Sequence, residues 1–382
     1  MKLKDKYTIF IKNQKPISLL MTSCLIIATI WALVLVNMYV VNIKKTDYTY
    51  TPVMENASYR ATFVGDVMLG RSVQEVGKKY GYNSLFKNVS YLWQNSNTVM
   101  CNMESVIVDN VKDYTLIDKT SNIHTNSSCV DSLKEAGFNL ISLANNHITN
   151  YGEDGLKNTL NVLKQKGLEY IGAGENLEEA SKYSIKEVNG LKVATISISD
   201  KIYDDETAAN EKGGALTTVY SEYPLLINKA KTEANIVIVY IHWGESYTHI
   251  VTSEQEELAK NLINSGADIV IGAHQHTLQS VEKYNNGIIL HGIGNLVFDQ
   301  GWDFTKESVV ANLSINANGD YAFELIPIYI EGATPEVTTD FYHVNRIFNT
   351  LTKKLNSTDY KIEDNKLIIE GNIQINQNNE GV

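Results

Sequence analysis

The stretch Ala267-Asp-Ile-Val-Ile-Gly-Ala-His-Gln-His276 constrains this chain more than any other. Apolar and small residues run into Gly272, and two histidines follow one residue apart. That pattern predicts a buried strand closed by a tight turn that carries His274 and His276 over the sheet edge. Sites in open α/β sheets gather where strands end, and imidazole is the commonest metal ligand. Taken alone, His-x-His is equally a pair of surface histidines in a loop. The other strand ends decide, because each also finishes in a residue of ligand type.

In chain order, the strand from Tyr59 ends at Asp66, after Gly65, and Arg71 then opens a helix to about Tyr80. Asp66 suits a metal ligand or a helix cap or turn, and Arg71 has the reach to hold an anionic group near the same strand end. The strand Thr98 to Met103 delivers Glu104, either a ligand or a solvent-facing terminus. The strand from Asn139 ends in Asn146 and His147, where Asn-Asn is also turn chemistry. The strand from Ile236 runs straight into His242. Helices are predicted over Leu85–Gln94, Cys129–Ala136 and Gly152–Lys166, and over Ser253–Ser265 with a capping box from Ser253 to Glu256. Hairpins are predicted across Asn189-Gly190 and Asn318-Gly319. Residues 200–222 have no pattern and suit a rim loop or lid.

Residues 1–45 carry seven lysines and one aspartate, a net +6, so residues 46–382 hold −17 of a chain whose net charge is −11. An ectodomain this acidic argues against nucleic-acid binding and against adsorption to anionic lipid. Ile17 to Val41 is an uncharged apolar run long enough to span a bilayer with some tilt and longer than the core of a signal peptide. Lysines concentrate before it, which puts residues 1–16 in the cytoplasm and the rest outside. The expected organisation is a cytoplasmic segment 1–16, an anchor 17–41, a polar stalk 42–58, a folded domain 59–335 and a weakly structured tail 336–382 with one strand at Lys366–Glu370. Cys101 and Cys129 are too few for a disulfide scaffold. One bridge between them is possible, and two buried free thiols are favoured because Cys101 lies in an apolar strand.

Five strand ends thus supply Asp66, Glu104, Asn146 with His147, His242, and His274 with His276. They hold four of the chain's eight histidines. Carboxylates, an amide and imidazoles together suit one or two ions of Mn²⁺, Fe or Zn²⁺ better than Ca²⁺. Such ions polarise a phosphoryl or acyl oxygen and activate water. Asp66, Glu104, Asn146, His242, His274 and His276 are the expected ligands. His147 is cast as general acid or phosphate contact, and Arg71 as an anion contact.

The order Asp, acidic residue, Asn-His, His, Gly-x-His-x-His resembles the calcineurin-like metallophosphoesterases. Phe63-Val-Gly-Asp-Val-Met-Leu-Gly-Arg71, Asn102-Met-Glu104, Ala144-Asn-Asn-His147, His242-Trp-Gly244 and Gly294-Asn-Leu-Val-Phe-Asp-Gln-Gly301 are similar to one branch of them. That branch is the poly-γ-glutamate capsule biosynthesis proteins of the CapA/PgsA type. The resemblance covers roughly 58–335. It implies an α/β metallophosphatase-like fold, a four-layer α/β/β/α sandwich behind an N-terminal transmembrane helix. It also implies a role in making, exporting or anchoring poly-γ-glutamate or a related anionic polymer, beside membrane synthetase subunits. The chain departs from the pattern at four places. Met68 stands where phosphoesterases have a ligating His, Asn150 where the branch has Asp, Ser246 where it has Glu, and His291 where an aromatic Tyr is usual. Two roles follow: a metal-dependent hydrolase acting on a phosphoester or γ-glutamyl amide, favoured by the retained ligands, or an accessory subunit of a synthetase complex, favoured by Met68 and the anchor.

Overall fold

A computed structural model describes residues 19–42, 48–119, 121–201 and 206–375. The chain divides into two compact units, Met1–Thr49 and Tyr50–Val382.

The first unit contains helix α1, Leu19–Asn42, 24 residues without a charged side chain. Its described side chains, 21–35, are exposed, among them Leu25, Ile26, Trp31 and Leu33. Among the described residues no helix is long and apolar enough to cross a membrane. The expected cytoplasmic segment, 1–16, lies outside the described residues.

The second unit is a mixed α/β structure with two large sheets. Its strands and helices run β1 Tyr59–Val67, α2 Arg71–Tyr80, β2 Thr98–Met103, α3 Cys129–Glu135, β3 Leu140–Ser142, α4 Gly152–Lys166, β4 Glu169–Ile171, β5 Ser184–Val188 and β6 Leu191–Ser199. They continue with α5 Tyr223–Glu233, β7 Ile236–His242, α6 Ser253–Asn264, β8 Ile269–Ala273, β9 Val281–Tyr284, β10 Gly287–Leu290, β11 Asn295–Val297, β12 Glu307–Ile315, β13 Asp320–Glu331, β14 Thr334–Val337, α7 Phe341–Leu351, β15 Lys361–Glu363 and β16 Lys366–Asn372. The ten-stranded sheet has the order β15-β16-β13-β12-β1-β2-β3-β4, with β11 beside β1 and β14 beside β13. The six-stranded sheet has the order β9-β10-β8-β7-β6-β5. Strands β1 to β4 are parallel neighbours, as are β6, β7, β8 and β10.

Strand periodicity explains the layering. Side chains alternate between faces. On β7, Ile236, Ile238 and Tyr240 join a core shared with Phe63, Met100 and Leu140 of the larger sheet. Val237, Val239 and Ile241 point the other way, onto Ile227 and Ala230 of α5 and Ala259 and Leu262 of α6. Two polar contacts pin the sheets together inside that core. The Tyr240 hydroxyl donates to the Val64 carbonyl at 2.8 Å, and the Ser142 and Ser197 hydroxyls meet at 2.7 Å.

Several expectations need correction. Residues 336–375 are not a weak tail. Strand β16 pairs with β13 from Asp320 opposite Asn372 to Leu325 opposite Leu367, and Leu367 and Ile369 are core residues. The short run Leu367-Ile-Ile369 is buried throughout and lies between β13 and β15, inside the sheet rather than at its edge. The polar segment 50–58 is not a free stalk either. The Tyr50 hydroxyl donates to Glu324, the Thr51 carbonyl accepts from Lys366, and the Ser58 amide donates to the Ile315 carbonyl. Its partners lie hundreds of residues away, so no local signal announces them. Residues 85–94 form no single helix. Tyr82–Leu85 and Ser90–Trp93 are short 3-10 turns, and these suffice to bury Leu85, Leu92 and Trp93. The cap of α6 is Thr252, whose hydroxyl accepts from the Gln255 amide, rather than Ser253. Cys101 and Cys129 are buried and free. Of the expected rim loop, 202–205 lies outside the described residues, and Gly214–Ala215 pairs with Ala173–Gly174.

Candidate metal centre

The parallel strands of both sheets end on one side, and there the backbone is shaped closely. A Cβ at Gly65 would lie 1.8 Å from the Gly294 carbonyl oxygen, so only glycine lets the start of β11 come against β1. The register of β1 against β2 slips between Phe63 and Asp66, an irregularity of the kind that re-aims a strand-end side chain. At Gly272 a Cβ would meet the His291 carbonyl oxygen at 2.0 Å and Trp243 Nε1 at 2.3 Å. The turn after it holds His274 at φ 99° and His276 at φ 58°. Arg71 and Tyr247 also have positive φ, 49° and 65°. Bulky residues rarely adopt this region, and such strain tends to gather at functional sites.

These constraints bring all six expected ligands to one buried point. Asp66, Glu104 and His242 present ligand atoms that lie within 4.8 Å of one another. His274 Nδ1 is 3.0 Å from His242 Nε2, which is 2.9 Å from Asn146 Oδ1. His276 Nδ1 is 3.3 Å from Asp66 Oδ2, and its Nε2 is 3.6 Å from Glu104 Oε1. The His274 amide donates to Asp66 Oδ2 at 3.2 Å. His147 Nε2 stands 3.5 Å from Glu104 Oε1.

The donor set fits a divalent cation. Glu104 Oε2 is buried and has no hydrogen-bond partner among the described residues. An orphaned buried carboxylate oxygen is costly unless a cation or solvent meets it. Burial, aided by the neighbouring imidazoles, holds His242 well below its ordinary range and pushes His274 down to about 3. Both rings are therefore neutral at pH 7, the form that ligates metal. Burial opposes charge on His276 too, but Glu104, Asp66 and Asn295 hold its proton up to about 9. Burial and the Asp66 carboxylate raise Glu104 well above the usual carboxylate range, with His276 opposing. A bound cation would offset the repulsion between the Asp66 and Glu104 carboxyls and take over the part that the His276 proton plays here.

His147 and Arg71 stand beside the cluster in a cavity of about 510 Å³, whose wall also includes Lys119, Lys201, Ser246 and Tyr247. His147 Nδ1 lies 2.7 Å from Asn150 Oδ1, which fixes the Nδ1–H tautomer and leaves Nε2 as an acceptor. Burial pushes His147 down to about 4, with Lys119 helping and Asn150 opposing. Its Nε2 is therefore unprotonated at neutral pH. The guanidinium of Arg71 pairs with Asp299 and lies 5.4 Å from the Phe298 ring. Met68 is buried, and its sulfur accepts from the Gly70 amide at 3.1 Å.

The structure adds residues that the sequence reading missed. Asn102 Nδ2 donates to Asp66 Oδ1 at 2.8 Å and lies 3.3 Å from His242 Nδ1. Asn145 Nδ2 donates to Asn102 Oδ1 at 2.9 Å, and Asn295 Oδ1 faces His276 Nδ1 at 3.0 Å. A signal existed: Asn102 is two residues before Glu104, so strand alternation puts both on one face. Ser246, in the place of the branch's Glu, has its hydroxyl 3.2 Å from His274 Nε2. His291 is structural. It is buried, stacks on Trp243 and meets Glu282 at 3.0 Å.

Comparison with known proteins gives a consistent family. Residues 60–300 match the family described as "Bacterial capsule synthesis protein PGA_cap". The chain is 35% identical over 364 residues to "Capsule biosynthesis protein CapA" of Bacillus anthracis, covering 92% of this chain and 86% of that one. It is 36% identical over 312 residues to "PGA biosynthesis protein CapA" of Bacillus subtilis, covering 81% and 82%. Among solved structures, a 5'-nucleotidase precursor from Thermus thermophilus aligns with a TM-score of 0.43 at 15% identity, covering 76% of this chain and 58% of that one.

Proposed function

The chain belongs to the bacterial capsule synthesis protein family, and from that membership we propose a specific role for it. It is a membrane-anchored, extracytoplasmic protein of poly-γ-glutamate capsule biosynthesis, export or anchoring, with a divalent metal at Asp66, Glu104, Asn146, His242, His274 and His276. The single observation that carries the metal reading is the meeting of these six side chains, from both sheets, in one cluster that includes the unpartnered Glu104 Oε2. The two curated relatives, named for capsule and PGA biosynthesis, support the polymer role. Two sheets sharing one core, with α5 and α6 outside the smaller one, support a four-layer, metallophosphatase-like sandwich. The anchor is supported by the uncharged helix α1 and by the lysines that precede it.

A bound divalent ion would polarise an oxygen of a phosphoester or γ-glutamyl amide and lower the pKa of its water. Around it, Asn102 and Asn295 orient ligands, and Asn150 fixes His147 with Nε2 free to accept a proton. Arg71 offers a guanidinium to an anionic substrate group once that group displaces Asp299.

Met68 favours a second reading, a metal-binding accessory subunit that does not hydrolyse, because it replaces one ligand of a two-ion site. Screening metal-loaded protein on phosphoesters and γ-glutamyl peptides separates the two. Turnover that is lost in His147→Ala supports the hydrolase, and metal without turnover supports the accessory subunit. Fractionation tests the anchor: full-length protein pelleting with membranes supports it, and protein that stays in the supernatant contradicts it.

A further inference from the structure

A ladder of aromatic rings leads from the metal centre to the surface. The His276 ring lies 5.5 Å from Tyr247, Tyr247 lies 5.1 Å from Trp302 at nearly a right angle, and Trp302 stacks on Phe304 at 5.7 Å. Two loops that follow strand ends supply these rings. Trp302 is 56% exposed and Tyr247 45%. An indole this open gives little to the core. Tyr247 and Phe304 flank it, Thr305 fixes the backbone beneath it by donating its amide and hydroxyl to the Trp302 carbonyl, and Gln300 donates to the Tyr247 hydroxyl at 3.2 Å. A fixed ring loses little side-chain freedom when a ligand settles on it, and exposed Trp and Tyr are the usual anchors of binding surfaces.

Charge selects the ligand. Among the described residues each cation on this rim already has a carboxylate: Arg71 pairs with Asp299, Lys201 with Glu245 and Lys306 with Glu331. Asp303 adds a further carboxylate, which shares Lys306 with Glu331 and accepts from the Tyr329 hydroxyl. The shelf therefore offers no surplus positive charge to a polyanion. It offers flat ring faces edged by the Gln300 amide and the Asp299 and Asp303 carboxylates. A pyranose ring is complementary, with apolar C–H faces and hydroxyl edges that donate to such groups. We infer that the Tyr247–Trp302–Phe304 shelf binds a neutral glycan strand, so that an acceptor or wall polymer lies beside the metal cleft. This rests on the reading above that the cleft is the working site.

The test is titration of the full-length chain with a hexamer of β-1,4-linked N-acetylglucosamine, read by tryptophan fluorescence and by calorimetry. The expected result is saturable binding that weakens about tenfold or more in Trp302→Ala at unchanged melting temperature, while Trp302→Tyr retains most of it. Equal affinity in wild type and Trp302→Ala overturns the inference. So does Trp302-dependent binding of poly-γ-glutamate oligomers with none of the glycan. The titration is repeated in chelator. Glycan binding by protein that never holds metal would remove the metal reading and keep the shelf, and metal-loaded protein blind to glycan would do the reverse.

Discussion

His274 Nδ1 and His242 Nε2 face each other at 3.0 Å, two ring nitrogens from adjacent parallel strands aimed at one point. Burial keeps both rings neutral at pH 7, so this close pair is not one of repelling cations. Neutral imidazoles converging with Asn146 Oδ1 and two carboxylates are suited to share a cation.

Asn102 is the first test of that geometry, because its amide touches both Asp66 and His242 but is not itself an expected ligand. Outer partners of metal ligands are worth about 10- to 100-fold in affinity. Asn102→Ala should weaken metal binding by that factor, measured by competition with a chromogenic chelator, with the fold intact by circular dichroism. Unchanged affinity would mean that Asn102 does not orient the ligands.

Gly272→Ala should destabilise the folded domain by about 2 kcal/mol or more. The added methyl would collide with the His291 carbonyl and Trp243 Nε1 on both sides of the turn. Urea denaturation measures it, and wild-type stability would contradict the close packing described.

The buried pair Lys366–Glu324, 2.9 Å apart, holds the segment after residue 49 against β13 and β16. Removing one partner of a buried pair costs roughly 3–5 kcal/mol. Lys366→Ala should lose about that much and expose residues 50–58 to protease in the native state. Protease resistance equal to wild type would show that the segment is held by other contacts.

A pH test lies away from the metal site. His291, foremost, and Lys354 hold the Glu282 carboxyl down to about 2, against a usual 4.5. A group depressed in the folded state stabilises above its unfolded pKa and loses that effect as pH falls towards the folded one. Wild type should therefore exceed Glu282→Gln in melting temperature above pH 4.5, and the gap should close between pH 4.5 and 2. A gap constant over that range would contradict the ion-pair account.

The sequence carried the ligands because strand chemistry is local. A buried apolar run closed by glycine and histidine reads the same in one dimension as in three, which is why Asp66, Glu104, Asn146, His242, His274 and His276 were all legible as one cluster, whatever it holds. Asn102 was half legible, through its alternation with Glu104. What was lost depended on distant partners. The strand at Lys366–Glu370 was legible, but its pairing with a strand over forty residues earlier was not, and Tyr50 and Thr51 meet Glu324 and Lys366. Arg71 was legible as an anion contact but not its partner Asp299, which arrives from the loop after β11. His147 was legible as a site residue, but its protonation follows from burial and from Asn150, neither of which a motif states.

Metal content of the purified full-length protein, beside the His274→Ala/His276→Ala variant, tests the central claim most directly. The account predicts near-stoichiometric Mn²⁺, Fe or Zn²⁺ in the wild type and its loss in a variant that remains folded. Wild-type protein that stays metal-free after incubation with each of these ions, or a variant that retains its metal, would contradict it.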